Sequence, residues 1–388
     1  MRIGILTGGG DVPGLNSVIK SVVYRSTELG NEVIGIRRGW EGLTHMRPGA
    51  DLDRGYVLPL DRENTRTIDR VGGTMLHTSR TNPRRMREER LPEHLRSDAQ
   101  RYRNSDGTYD LTPVVLANIE RLRLDRFVAI GGDDTLSFAR VLVEKGIPLV
   151  AIPKTMDNDV QGTEYCVGFS TAITRAKELI DRQRTTLGSH ERIGVFRIFG
   201  RDAGFSALHA AYVTSARCLI PEAPFDLDHL VEVLVTDKRM NPSTYAFVIA
   251  AEGARWHGAV IGEYGEPDAY GHRRKMSVAE ALADEIHRRS GEDTLVSELT
   301  YDLRSGDPDA FDQMVATTFA NIAVDLLGSG EQGRMVAIRE GKYTHIALPD
   351  PQLGPRKVDV ARQYDLDRFR PRYTGRLGSS LFLDAPEG

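Results

Sequence analysis

Short apolar, β-branched runs recur along this 388-residue chain, with segments of helical periodicity between them. That alternation is the pattern of a parallel sheet, because parallel neighbours need a long crossover and a helix supplies it. Strands are expected at Ile3–Leu6, Val33–Ile36, Phe127–Ile130, Ile147–Ile152, Ile193–Ile198, Arg217–Ile220, Tyr245–Ala251 and Met335–Ile338. Several end in glycine or a carboxylate, and ligands of parallel sheets collect at the carboxyl ends of the strands. One helix is expected from Pro13 to about Leu29, with Val18, Ile19, Val22 and Val23 on one side, and another after Ser170, carrying Ile173, Ala176 and Ile180. Asp11 and Pro13 suit a cap and first turn, and Ser170 a cap for the second helix. The fold class is α/β.

Composition removes several classes of function. The net charge of -4, with Lys and Arg spread along the chain, offers no broad basic field for nucleic acid. No run approaches the length of a membrane span, and the apolar stretch after Met1 is too short for a signal peptide before its three glycines. Cys166 and Cys218 form neither a CxxC pair nor a Cys/His cluster, so buried thiols in a reducing cytoplasm are expected. Arg84 to Arg103, dense in Arg and Glu, reads as a solvated face. The tail from Pro349 onward is expected to wrap a surface or a neighbouring subunit.

Three segments carry chemistry. Gly8-Gly9-Gly10-Asp11-Val12-Pro13-Gly14 lies between a strand and a helix, where bare backbone amides hold an anion, although such a turn also serves tight packing. In Gly131-Gly132-Asp133-Asp134-Thr135 a strand runs into adjacent carboxylates at a helix start, which suits Mg²⁺, while Asp134 also reads as a plain cap. Pro153-Lys154-Thr155-Met156-Asp157-Asn158-Asp159 follows another strand. A Lys, a Thr and two Asp there supply charge neutralisation, positioning and a proton acceptor for phosphoryl transfer; a polar loop of Asx turns is the bland alternative.

Taken together and in this order, Gly-Gly-Asp-x-Pro-Gly, Gly-Gly-Asp, Pro-x-Thr-x-Asp-Asn-Asp and a later Gly-Arg resemble the phosphofructokinase family, over residues 1 to about 345. The resemblance implies two Rossmann-like domains with mainly parallel sheets and an active site in the cleft between them. It places a donor-phosphate and magnesium domain at 1–168, a sugar-phosphate domain at 169–304, a return segment at 305–348 and an extension at 349–388. By the same resemblance Gly9, Gly10 and Gly132 lie on the donor phosphates, Asp133 binds Mg²⁺, and Arg80, after Gly72-Gly73-Thr74, approaches the transferring phosphoryl group. Asp157 is the general base on the sugar 1-hydroxyl, supported by Thr155, Met156 and Asp159. Phe199, Gly200 and Arg201 cradle fructose 6-phosphate, Glu252 bonds its hydroxyls, and Tyr301, Asp302, Leu303 and Arg304 hold its 6-phosphate. Arg192 reaches in from a neighbouring subunit, which makes a homodimer or homotetramer the expected assembly.

The chain departs from the family pattern near Val296 to Gly306, and the place of a further phosphate-binding arginine of the family falls on Leu295. Arg288, Arg289 or an arginine of the tail would replace it, or the preferred sugar phosphate differs. The resemblance also separates donors. ATP-dependent members usually carry glycine at the place of Asp134 and often at that of Lys154, so both positions point to pyrophosphate. A carboxylate at Asp134 sets bulk and negative charge where an ATP α-phosphate would lie. Lys154 offsets charge on the transferring and leaving phosphates. Trp40 reads as a core aromatic more readily than as a base platform. The alternatives are an ATP-dependent sugar kinase of the same family and a silent regulatory subunit, the second opposed by the presence of Asp133 and Asp157.

Overall fold

The computed structural model describes residues 1–47, 49, 53–259, 263–264, 274–275 and 277–373. The chain opens with β1 (Arg2–Thr7), α1 (Leu15–Glu28), β2 (Glu32–Ile36), α2 (Trp40–His45) and β3 (Val57–Leu60). After a stretch of short 3₁₀ turns come α3 (Thr112–Arg121), β4 (Arg126–Gly131), α4 (Asp133–Glu144), β5 (Leu149–Pro153) and α5 (Phe169–Ser189). Then follow β6 (Ile193–Ile198), α6 (Phe205–Thr214), β7 (Arg217–Leu219), α7 (Leu227–Met240), β8 (Ala246–Ala251) and a two-stranded ribbon, β9 (Glu263–Tyr264) with β10 (Arg274–Lys275). The chain closes with α8 (Val278–Ser290), β11 (Thr294–Glu298), α9 (Ala310–Gly328), β12 (Arg334–Arg339), β13 (Lys342–Ala347), α10 (Val360–Gln363), β14 (Tyr364–Asp365) and β15 (Arg370–Pro371).

These elements form two compact units. The first comprises Met1–Thr155, Val160–Gly168 and Arg304–Gly354; the second comprises Met156–Asp159, Phe169–Leu303 and the chain from Pro355 onward. The expected return segment therefore falls in the first unit with the first six residues of the tail, the tail from Pro355 falls in the second, and the chain passes from one unit to the other inside the Lys154–Asp159 motif.

The first unit holds a seven-stranded sheet in the order β13-β12-β5-β4-β1-β2-β3. Its inner strands are parallel and both edges antiparallel. Apolar runs buried on both faces suit such a centre. The edge strands β3 and β13 carry weaker signals: β3 contains Pro59, which an edge tolerates, and β13 is half exposed. Leu6, Ile36, Phe127, Ala129, Leu142, Leu149 and Ala151 are part of its core. Trp40 belongs there too, 2% exposed, with its indole N–H donating to the Thr135 carbonyl at 3.2 Å. It is a core aromatic, as expected.

Two helix starts differ from expectation. Gly14 occupies the cap of α1 in the left-handed region, φ 99°, and no side chain caps the helix, so the start falls after Pro13 and Asp11 is not its cap. A residue without a Cβ adopts that conformation at no steric cost, which outweighs the side-chain signal. Helix α5 begins at Phe169, leaving Ser170 inside its first turn. The segment from Arg84 to Arg103 is only partly a solvated face, since Met86, Leu91 and Ala99 pack with Tyr109 and Leu111 into a small cluster of their own.

The second unit holds a four-stranded parallel sheet, β11-β6-β8-β7. The tail completes it. Phe369 is 3% exposed within the core formed by Val195, Leu219, Leu230, Val248 and Leu282, and its carbonyl accepts the Cys218 N–H at 2.7 Å. The Tyr364 hydroxyl donates to the Cys218 carbonyl at 2.6 Å. Burial raises the Tyr364 phenol and the Cys218 thiol well above their ordinary values, so both stay protonated. Among the described residues no helix is long and apolar enough to cross a membrane.

The docking of Phe369 is testable. Phe369→Ala should destabilise the protein by about 3–5 kcal/mol through lost burial and the cavity left behind. Leu366→Ala, at a half-exposed residue nearby, should change stability by less than about 0.5 kcal/mol. Urea unfolding of the two variants measures both; equal effects would mean that the tail does not belong to the core.

Candidate functional site

Three adjacent parallel strands deliver the glycine-rich segments. In the first unit β5, β4 and β1 are neighbours, and Gly8–Gly10, Gly131–Asp134 and Lys154 all follow their carboxyl ends. The segments are bonded to one another: the Gly8 N–H donates to the Ile130 carbonyl at 2.9 Å and the Lys154 N–H to the Gly131 carbonyl at 3.1 Å. A Cβ at Gly8 or at Gly131 would collide with the buried side chain of Thr135, so these two glycines are packing requirements.

Gly9 and Gly10 differ in kind, because what stands against them is cationic. Gly9 lies at φ 83°, and a Cβ built there would be 2.8 Å from Lys154 Nζ. A Cβ at Gly10 would be 2.7 Å from Arg304 Nη1. The loop is held from the other side by Ser79, whose carbonyl accepts the Gly9 N–H at 2.9 Å, and by the Thr78 hydroxyl, which donates to the Gly9 carbonyl at 2.7 Å. That brings the segment carrying the exposed Arg80 against the loop. An ammonium and a guanidinium facing bare backbone form a place for an anion with several oxygens.

Gly132 caps α4 with extended backbone, and Asp133 and Asp134 form its exposed first turn. Two carboxylates there also suit the helix dipole. Among the described residues no group of three or more His, Cys, Asp or Glu side chains could hold a metal ion by itself. Asp133 is nevertheless compatible with Mg²⁺, an ion usually held by one or two carboxylates with phosphate oxygens and waters completing the shell.

In the second unit the expected sugar residues gather at the carboxyl ends of β6 and β8. Phe199, Gly200 and Arg201 follow β6, and Glu252 follows β8. The Glu252 N–H donates to the Ile198 carbonyl at 2.9 Å and the Gly253 N–H to the Gly200 carbonyl at 3.0 Å, which fixes the two ends together. Gly200, at φ 125°, makes this turn in a conformation open to glycine. Arg197 of β6, which the sequence reading passed over, contacts Glu252 at 3.4 Å and Glu298 at 2.6 Å. An arginine between Phe196 and Ile198 in an otherwise apolar strand was the available signal.

The remaining candidates are distributed as follows. Met156, Asp157 and Asp159 belong to the second unit; Thr155 and Lys154 to the first. Tyr301 is 76% exposed on a 3₁₀ turn, Asp302 is exposed, and the Leu303 side chain is wholly buried. Arg304 belongs to the first unit. Arg192 precedes β6, at the opposite end of that six-residue strand from Gly200. About 20 Å of strand separates them, beyond the reach of one side chain. Leu295 lies half-buried on β11. Of its suggested substitutes, Arg288 and Arg289 are both paired to Glu285, and Arg289 also to Asp228. That sharing holds the Glu285 carboxyl down at about 2.

The two kinds of glycine separate by experiment. Gly8→Ala should cost about 1–3 kcal/mol of stability through overpacking against Thr135. Gly10→Ala meets only the end of a flexible arginine. It should leave stability within about 0.5 kcal/mol and weaken binding of inorganic phosphate about tenfold, the order expected for one lost charged hydrogen bond. Thermal unfolding and calorimetric titration give the two readouts; unchanged phosphate affinity in Gly10→Ala would remove the loop from anion binding.

Comparison with known proteins agrees with this arrangement. The sequence model of the family described as phosphofructokinase matches residues 2–327. The chain is 38% identical over 365 residues to "ATP-dependent 6-phosphofructokinase 3" of Streptomyces coelicolor, covering 93% of this chain and 98% of that protein. It is also 38% identical over 373 residues to "Pyrophosphate--fructose 6-phosphate 1-phosphotransferase" of Amycolatopsis methanolica, covering 95% and 99%. The crystal structure of a pyrophosphate-dependent phosphofructokinase from Marinobacter aquaeolei superposes with a TM-score of 0.71 at 17% identity, over 96% of this chain and 89% of that one, a likeness of fold. The glycine segments on adjacent strand ends and the match along most of the length have one reading: the chain belongs to the phosphofructokinase family.

Proposed function

We propose that this enzyme transfers a phosphoryl group from pyrophosphate to the 1-hydroxyl of D-fructose 6-phosphate, giving fructose 1,6-bisphosphate and phosphate. The hydroxyl oxygen forms the new bond to phosphorus, its proton passes to the Asp157 carboxylate, and the bond between phosphorus and the bridging oxygen breaks to release phosphate. Glu252 and Gly200–Arg201 hold the sugar. Lys154 and Arg304, against Gly9 and Gly10, neutralise donor oxygens, with Arg80 beside them. Asp133 holds Mg²⁺, which when bound neutralises phosphate charge. Arg192 acts from another copy of the chain, in keeping with its place at the far end of β6, so the working form is a homodimer or homotetramer.

The observation that carries the choice of donor is the pair Lys154 and Asp134: an ammonium that is 4% exposed against Gly9, and a carboxylate exposed on the first turn of α4. Together they favour a small anion of high charge density and oppose a third phosphate with a nucleoside. ATP is the second reading, favoured by the name of the 38% identical Streptomyces coelicolor relative.

Initial rates on fructose 6-phosphate with magnesium, with pyrophosphate or ATP as donor, decide between them. Turnover with pyrophosphate alone is expected. Asp134→Gly combined with Lys154→Gly should lower pyrophosphate turnover and admit ATP; unaltered pyrophosphate kinetics would sink the donor assignment. Arg304→Ala divides the roles given to that residue. Its place at Gly10 predicts that KM for the donor rises roughly tenfold or more, the order of one charged hydrogen bond, while KM for the sugar moves less. The reverse ranking would return Arg304 to the 6-phosphate alone.

A further inference from the structure

We infer that Arg356, on the tail that follows β13, is a positioning residue for Asp157. The inference deepens the reading above and rests on Asp157 being the base. Within the second unit the Met156–Asp159 loop is tied on both sides of Asp157. The Arg356 Nη2 donates to the Asn158 carbonyl at 2.6 Å, and the Arg356 backbone N–H donates to the Asp159 carbonyl at 2.7 Å. On the other side, the Ser206 hydroxyl of α6 donates to the Met156 carbonyl at 2.8 Å.

The arginine is itself fixed. Its guanidinium lies 4.2 Å from the ring centroid of Phe205, one residue before Ser206 on α6, and Phe205 is 1% exposed. Two residues along the tail, the Val358 N–H donates to Glu222 Oε1 at 2.9 Å, and the same oxygen accepts the Gly204 N–H at 3.0 Å. Tail, α6 and base loop are therefore one bonded assembly. It has conformational work to do, because Asn158 sits at φ 55°, in the left-handed region that a non-glycine residue occupies at a cost. The charged hydrogen bond to its carbonyl holds the peptide in that orientation, and Asp157 is the residue before it.

The sequence pattern around Arg356 gives no sign of this, and the residue lies outside residues 2–327, which the family's sequence model matches. A residue that acts on the base through the backbone should alter the chemical step more than binding. Arg356→Gln is expected to lower kcat roughly 10- to 100-fold, as a small displacement of a reacting group does. KM for fructose 6-phosphate should change less than about threefold in the same variant, since the sugar contacts are untouched. Arg356→Lys, which keeps the charge and one donor, should recover part of kcat.

The decisive measurement is a cycle with Asp157→Ser, using whichever donor the wild-type enzyme turns over. If Arg356 works through the base, Arg356→Gln should lower kcat no further once Asp157 is Ser. Full additivity of the two losses, or a wild-type kcat in Arg356→Gln, overturns the inference. Asp157→Ser alone reports on the reading beneath it: undiminished kcat there removes the base, whatever Arg356 does. Should Arg356→Gln unfold, hydrogen exchange of the loop amides in folded Arg356→Lys serves instead. Faster exchange at 157–160 than in the wild type is expected, and identical exchange overturns the inference.

Discussion

The close approach of three backbones at the ends of β1, β4 and β5 is the constraint on which the donor side depends. Gly8 and Gly131 bring their segments onto Thr135 with no room for a methyl group, and Thr135 in turn receives the indole N–H of Trp40 on its carbonyl. Trp40 packs at 5.8 Å and 5.1 Å from the ring centroids of Phe127 and Phe138. The hydrophobic core thus continues without a break to the glycine loops. Because such cores resist even a methylene of extra volume, the positions of Gly9, Gly10 and Lys154 follow from packing.

Much of this was legible because the signals were local. A buried parallel strand is written as an apolar run, and the runs Ile193–Ile198 and Phe127–Ile130 fall on β6 and within β4. The glycine motifs lie at strand ends because the chain must turn there within one or two residues. What escaped was whatever depended on partners remote in sequence. Edge strand β3 is interrupted by Pro59, and β11 includes a serine and a glutamate; each becomes a strand only because a neighbour is already in place. Helix α1 begins later than its polar residues suggest because Gly14 relieves a backbone strain that no side-chain pattern reports.

The electrostatics follow the same division. Lys154 was recognisable as a charged residue after a strand, but its near-complete burial is a tertiary fact. An ammonium taken from water costs several kcal/mol unless hydrogen bonds or anions compensate it. Lys154 stands against Gly9, with Arg304 against Gly10. Arg288 and Arg289, which sequence alone offered as substitutes for an arginine at Leu295, share Glu285 on α8, and Arg289 also pairs with Asp228 of α7. Their charge is already answered.

The tail extends the argument from charge to rigidity. Phe369 and Tyr364 anchor it through burial and through hydrogen bonds to the backbone of Cys218, an uncharged fastening that salt screening does not weaken. From that anchor the chain leads back to Arg356, whose bonds reach the carbonyls of the two residues after Asp157. A left-handed asparagine costs on the order of 1–3 kcal/mol and persists only where its surroundings determine it. Here those surroundings include α6 and the tail. The loop that carries Asp157 is therefore held by a segment whose composition, mixed prolines, arginines and aromatics without periodicity, gives no hint of that use until the fold brings Arg356 onto Phe205.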